Sequence, residues 1–167
     1  MSQQAEVGST LQAMLLEEMA LKLPRFTNDD AFALGSRLIN LAKKKTPYKG
    51  ITIQITRNGQ TLFLHAMEGT TADNENWARR KTNTVVRLQH SSYYIGRLLA
   101  SKGETDMEKT YKVSMDDYAC HGGGFPLFIE NVGCVGAAVV SGLPQAEDHA
   151  LVVQGIREML ETMLQGE

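Results

Sequence analysis

The segment GITIQITRNGQTLFLHAME, residues 50–68, constrains the fold more than any other part of this sequence, because it predicts two strands joined by a tight turn. Asn58-Gly59 is a pair that suits a type I′ turn, in which both central residues adopt positive φ. Arg57 then faces Gln60 across the turn. The register counted outward from this loop predicts one apolar face made of the pairs Ile55–Leu62, Ile53–Leu64 and Ile51–Ala66.

The other face of this hairpin also carries residues that favour burial. In the same register, Phe63 lies opposite Gln54 on that face, with Met67 further along the strand. An antiparallel sheet with one solvated face would place polar residues at such positions. We therefore expect both faces of the sheet to be at least partly covered.

A second hairpin is predicted over FPLFIENVGCVGAAVV, residues 125–140, with its turn around residues 130–133. Its second strand contains Gly136, Ala137 and Ala138, where larger side chains are usual in a strand. Small residues at these positions imply that a helix, a neighbouring subunit or a ligand approaches the strand closely.

Helical patterns flank both hairpins and give the order helices, hairpin, helices, hairpin, helix. Hairpins imply antiparallel pairing, so the sequence predicts an α+β fold, a sheet covered by helices, in one domain over residues 1–167. The first helix is predicted over residues 9–23 and is ended by Pro24, and the second runs from an N-cap at Thr27 or Asn28 to about Lys43. The third helix starts from a cap at Asp73 or Asn74, and the fourth runs from a cap at Ser91 or Ser92 to Gly103. The last helix has Pro144 as its first helical residue.

Charge and hydropathy narrow the classes of partner. The net charge of −2 and the sequence pI near 6.1 provide no general attraction to nucleic acid or acidic membranes. The longest apolar run, CVGAAVV, is far shorter than the roughly 20 residues of a membrane-spanning helix. Cys120 and Cys134 match neither a redox nor a metal-finger motif. We expect a cytoplasmic protein that has neither a nucleic-acid partner nor a membrane partner.

His121 is followed by three glycines and then Phe125-Pro126. A glycine run allows the backbone to approach a ligand closely and can direct several amides at an anion. The same run is equally typical of a tight connection that leads into a strand. His121 and the amides of Gly122, Gly123 and Gly124 are therefore candidate ligand-binding groups.

The segment WARRK, residues 77–81, combines one aromatic ring with three cations. At helical spacing, Arg80 and Lys81 lie near the Trp77 ring, whereas Arg79 points elsewhere. Such a surface suits a planar anionic ligand, because the ring packs against Trp77 while the cations neutralise carboxylates. The alternative is a tryptophan that anchors the helix, with solvated cations beside it.

Asp148 and His149 lie in the first turn of the last helix, and His149 shares a face with the apolar residues Val152, Val153 and Ile156. A histidine there is either a metal ligand or proton carrier at the mouth of a pocket, or a core residue bonded to a loop. His121, Asp148 and His149 together are the candidate catalytic residues, and the two histidines are the candidate metal ligands.

Three segments resemble an uncharacterised family related to the haem-binding or haem-degrading HbpS and GlcG proteins: GTTADNENWARRKTNTVVRLQHSSYYIG, YACHGGGFPLFI and GCVGAAVVSGLPQAEDHALVV. The resemblance covers nearly the whole chain after the first helix. It implies a profilin-like sandwich, mainly antiparallel, in a homo-oligomer. It also implies haem or iron as a candidate cofactor, with no haem ligand assigned residue by residue.

These observations lead to three hypotheses: an oligomeric protein that binds haem or another small anionic or iron-containing molecule, a homo-oligomeric scaffold without such a ligand, and an enzyme that uses His121, Asp148 and His149. In the first, the pocket is bordered by Trp77, Arg80, Lys81, His121, Gly122, Gly123, Gly124, Phe125, Asp148 and His149.

Overall fold

The computed structural model describes residues 3–166, and the side chains of residues 10–166. Helices and strands follow the predicted order. The elements are α1 (Gln3–Ala20), α2 (Asn28–Lys43), β1 (Thr52–Arg57), β2 (Gln60–Ala66), α3 (Ala72–Leu88), α4 (Ser92–Ser101), α5 (Glu108–Tyr111), β3 (Gly124–Ile129), β4 (Gly133–Ser141) and α6 (Gln145–Gln165).

The four strands form one antiparallel sheet in the order β2-β1-β4-β3. Helices α2 and α6 pack on one face of the sheet, and α3 packs on the other. The alternation along β4 reflects this: Ala138 and Val140 belong to the main core, whereas Ala137 and Val139 cluster with α3. The predicted α+β class and the covering of both sheet faces are confirmed.

Close helix packing and close strand packing together explain the small residues of β4. Ala137 is fully buried against Ala78 and Val85 of α3. A Cβ added to Gly136 would lie 1.9 Å from the Thr56 carbonyl oxygen of the adjacent strand, so no larger residue fits there without backbone movement.

The predicted register of the first hairpin is wrong beyond its first two pairs. Arg57 pairs with Gln60, but the register then shifts, and Ile55 pairs with Phe63 rather than with Leu62. A β-bulge inserts one extra residue into β2, and it moves Phe63 onto the core face. There the Phe63 ring lies 6.2 Å from that of Phe32. The register shift thus lets the partly buried Phe63 ring pack against the main core.

Several predicted helix boundaries also need correction. The cap of α3 is Thr71, whose N–H donates to Asn74 Oδ1 at 2.9 Å, so Asp73 and Asn74 both lie inside the helix. Pro144 is the N-cap of α6 and not its first helical residue. The predictions that named Thr27 and Ser91 as caps are confirmed. Helix α1 begins at residue 3 and ends at residue 20, and the short helix α5 was not predicted.

Residues 3–166 include no helix that combines the length and the apolar character needed to cross a membrane.

We predict that Gly136→Ala lowers the free energy of unfolding by roughly 1–3 kcal/mol, because the new methyl group meets the Thr56 carbonyl in a closely packed sheet. Gly166→Ala is the matched control, since the nearest atom to its added Cβ lies 3.7 Å away. Urea unfolding measures both variants. Equal stabilities for the two variants would contradict the packing described for β4.

Candidate functional site

A buried ion pair joins three elements of the fold. The Lys81 Nζ of α3 lies 3.1 Å from Asp148 Oδ2 of α6 and donates to the Val140 carbonyl of β4, also at 3.1 Å. The two charged side chains are only 4% and 2% exposed. Burying two charges is unfavourable unless they are paired and hydrogen-bonded, so this pair holds α3, β4 and α6 in a fixed relation.

Asp148 also organises the loop between β4 and α6. Its carboxylate accepts hydrogen bonds from the Leu143 N–H at 2.9 Å and from the Gly142 N–H at 3.3 Å. With Lys81, this gives the carboxylate three donors. An acid in the first turn of a helix is also favoured by the helix dipole, which explains why Asp148 stands at this position.

Burial changes the acidity of both partners. It lowers the pKa of Lys81 and raises the pKa of Asp148 from their ordinary values, although the attraction between the two charges opposes each shift. The two pKa values are therefore brought closer together.

The ion pair forms part of the wall of an open cavity of about 230 Å³. Trp77 and His121 meet at this cavity, with ring centroids 5.0 Å apart in an edge-to-face arrangement. The guanidinium carbon of Arg80 lies 4.5 Å from the centroid of the Trp77 ring. The lining residues are Asn74, Trp77, Lys81, His121, Ser141, Gly142, Leu143, Gln145 and Asp148.

His121 lines this cavity in surroundings that favour the neutral form of its imidazole. Desolvation, together with the positive charges of Lys81 and Arg80, lowers the pKa of His121 below its usual value. A neutral imidazole can accept or donate a hydrogen bond and can ligate a metal. The residue is exposed at the surface, while its backbone carbonyl accepts from Ser92 Oγ at 2.5 Å.

The three glycines pack closely against neighbouring elements, and Gly123 lies against the ion pair. A Cβ added to Gly123 would lie 2.2 Å from the Val140 carbonyl oxygen and 2.8 Å from Lys81 Nζ, and the φ of Gly123 is +128°. The Gly122 amide donates to Gln145 Oε1 at 3.1 Å, and the Gly124 amide donates to Ser92 Oγ at 3.0 Å. Two of the three amides proposed as anion donors therefore already have partners within the chain.

Four of the ten residues predicted to border the pocket line this cavity: Trp77, Lys81, His121 and Asp148. The other six are not among its lining residues: Arg80, Gly122, Gly123, Gly124, Phe125 and His149. Phe125 is fully buried in the main core and does not line the cavity. The Nε2 of His149 lies 3.2 Å from Glu17 Oε1 of α1, its ring lies 5.0 Å from that of Tyr93, and its Nδ1 is buried without a partner. Within this chain, the cavity brings His121 and Asp148 together, but His149 is not among its lining residues.

The cations of WARRK have three different surroundings. Lys81 is buried in the ion pair, Arg80 stacks on Trp77 and donates to the Tyr118 carbonyl at 3.3 Å, and Arg79 binds Asp117 at 2.9 Å. Trp77 itself donates to Asp73 at 3.2 Å. Helical spacing placed Arg80 correctly, but it did not indicate that Lys81 turns inward.

Five lining residues were not predicted as site residues: Asn74, Ser141, Gly142, Leu143 and Gln145. Four of them lie in the segment SGLPQ, at the end of β4 and the start of α6. The signal available in the sequence was the position of this segment, because loops at strand ends and helix N-termini often form binding sites.

A model of the family described as "Haem degrading protein HbpS-like" matches residues 26–157. The UPF0303 protein of Streptomyces avermitilis is 43% identical over 151 residues, which cover 90% of this chain and 91% of that protein. The chain therefore belongs to the HbpS-like family, and its relatives include UPF0303 proteins.

Solved structures share this fold. The crystal structure of the Ybr137w protein is similar with a TM-score of 0.85 and 33% identity, over 92% of this chain and 89% of that chain. The crystal structure of a complex of PduOC with haem is similar with a TM-score of 0.67 and 16% identity, over 79% of this chain and 93% of that chain. At that identity the second similarity concerns the fold alone.

The family description raises the question of whether the cavity fits haem. Pockets that enclose drug-sized ligands measure roughly 300–1,000 Å³. At about 230 Å³ the cavity of one chain is too small to enclose a tetrapyrrole. Among residues 10–166, no three His, Cys, Asp or Glu side chains are grouped so that they could hold a metal ion. This cavity of one chain therefore does not enclose a haem.

We predict that Lys81→Met lowers the free energy of unfolding by roughly 3–5 kcal/mol, because it leaves the buried Asp148 carboxylate without its counter-charge. The double variant Lys81→Met/Asp148→Asn should lose less, since the amide carries no charge and its oxygen still accepts from the Leu143 N–H. Denaturant unfolding of the two single variants and the double variant completes the cycle. Strictly additive losses would show that the two residues are not coupled.

Proposed function

We propose that this protein binds a small carboxylate-bearing molecule in the cavity walled by Lys81 and Asp148. The observation that carries the proposal is the buried ion pair at an open cavity, where Lys81 has a third N–H beyond those directed at Asp148 and Val140. Buried charges with shifted pKa values in a cavity are typical of binding and catalytic sites.

The lining of the cavity favours an acceptor-rich ligand. The Gln145 Oε1 is occupied by the Gly122 amide, so the side-chain NH₂ of Gln145 is its remaining donor group. Asn74 and Ser141 contribute further polar groups, and Trp77 contributes an apolar plate. A short molecule with one apolar side and a carboxylate matches this lining.

The electrostatic field also favours an anion. Helix α6 begins at the cavity, and its 21 residues direct the positive end of their dipole toward it. Arg80 adds a positive charge beside Trp77, while Lys81 and Asp148 neutralise each other. The α6 dipole and Arg80 thus supply positive potential near the cavity, against the Asp73 carboxylate that accepts from Trp77 Nε1.

The family description names haem, and the geometry of the cavity limits where this chain could hold it. A haem bound to this chain would lie at the mouth of the cavity, with His121 available as an iron ligand and Arg80 available to a propionate. Its enclosure would need a second subunit. A homo-oligomer is part of this proposal, and light scattering on the purified protein measures its size.

Trp77 is the single tryptophan and lies in the cavity, so its fluorescence reports on this site. We predict a saturable fluorescence change with small mono- or dicarboxylates at one molecule per chain, and no change with the corresponding amides. Because a hydrogen bond contributes about 1 kcal/mol, His121→Ala should weaken binding about five- to tenfold.

His149→Ala is the matched control, because His149 lies outside the cavity and should leave the affinity unchanged. A parallel titration with haem follows its absorption band. Saturation at one haem per chain that is lost in His121→Ala, together with no response to any carboxylate, would contradict the proposal and make haem the ligand.

A further inference from the structure

A second cavity of about 560 Å³ lies between the end of α1, His90 in the turn before α4, and the β3–β4 turn. It shares no lining residue with the Lys81 cavity. Its volume is within the range of roughly 300–1,000 Å³ that is typical of small-molecule sites. The two cavities are therefore separate candidate sites.

The wall of this second cavity is mainly apolar. Leu15 and Met19 of α1 face Phe128, Ile129 and Val132 of the β3–β4 hairpin across it. Met19 is 63% exposed and Val132 is 70% exposed, which leaves large apolar surface in contact with water. Exposed apolar surface that lines a concave site is typical of a surface that binds another molecule.

One side of the second cavity is polar and ordered. Glu18 is only 3% exposed, and its two carboxylate oxygens accept from the Ser91 N–H and from His90 Nδ1, each at 2.7 Å. Both Glu18 oxygens are thus occupied within the chain. The Glu18 carboxylate fixes the orientation of the His90 ring. Nε2 is then the ring nitrogen of His90 that remains for a ligand.

The charges on this side sum to a positive value. The hydrogen bond that His90 Nδ1 donates to the Glu18 carboxylate raises the pKa of His90 above its usual 6.5, which favours an imidazolium that donates from Nε2. Lys22 lines the same cavity and adds a second positive charge. Against the single negative charge of Glu18, the site carries a net charge of about +1 when His90 is protonated.

We infer that the second cavity binds an amphipathic carboxylate, a molecule with one acid group and an apolar chain or ring. The acid group is placed at His90 Nε2 and Lys22, and the apolar body covers Met19, Phe128 and Val132. A neutral apolar molecule would leave the Nε2 of His90 and the Lys22 ammonium without an acceptor, and a small polar anion would leave the apolar wall exposed.

Calorimetric titration at pH 6 with octanoate, and with 1-octanol as the uncharged probe of equal chain length, tests this inference. We expect one octanoate per chain, an affinity for octanol at least tenfold weaker, and a similar loss of octanoate affinity in His90→Gln. Trp77 fluorescence should not respond to octanoate, because Trp77 lies in the other cavity. Calorimetry with octanoate therefore tests the second cavity, and Trp77 fluorescence separately tests the Lys81 cavity.

Met19→Asp places a negative charge in the apolar wall and should abolish octanoate binding. Leu164→Asp is its matched control, since Leu164 is a similarly exposed apolar residue outside the cavity. Equal binding of octanoate and octanol, or unchanged binding in Met19→Asp, would overturn the inference. Absence of octanoate binding would also overturn it. If light scattering then shows an assembly that Met19→Asp dissociates, this surface is a subunit interface.

Discussion

The buried pair of Lys81 and Asp148 is the interaction on which the arrangement of α3, β4 and α6 depends. Lys81 of α3 binds Asp148 of α6, and Asp148 also holds the loop before α6 by accepting from the amides of Gly142 and Leu143. Two charges removed from water are tolerated in a fold when they are paired and hydrogen-bonded, as Lys81 and Asp148 are. Because the same pair borders an open cavity, one arrangement supports both the fold and the proposed site.

This pair also explains why the sequence needs glycine beside it. Gly123 adopts a positive φ and lies so close to Lys81 Nζ and the Val140 carbonyl that a side chain would displace both. Gly122 and Gly124 direct their amides at Gln145 and Ser92, which fixes the backbone just after His121. The glycine run therefore packs the backbone against one side of the ion pair and holds His121 at the edge of the cavity.

Local patterns were sufficient for most of the fold and for part of the site. The Asn58-Gly59 turn, the second hairpin and the helical stripes predicted an antiparallel sheet covered on both faces, and the family resemblance agreed. Helical spacing brought Arg80 to Trp77. The remaining features depend on contacts distant in sequence: the bulge that buries Phe63, the inward turn of Lys81 toward Asp148, and the pairing of His149 with Glu17. A period of 3.6 or 2 residues describes one element, and it contains no information about which partner that element meets.

The most direct measurement is ¹⁵N NMR of the Lys81 ammonium group, assigned by its absence in Lys81→Arg. We expect an ammonium signal that exchanges slowly with water, because Lys81 is buried and bonded to Asp148 and Val140. We also expect this signal to shift when a carboxylate that changes Trp77 fluorescence is added. A Lys81 signal that exchanges rapidly with water, or one that stays unchanged at saturating ligand, would contradict the central claim that this ion pair forms the wall of the binding site.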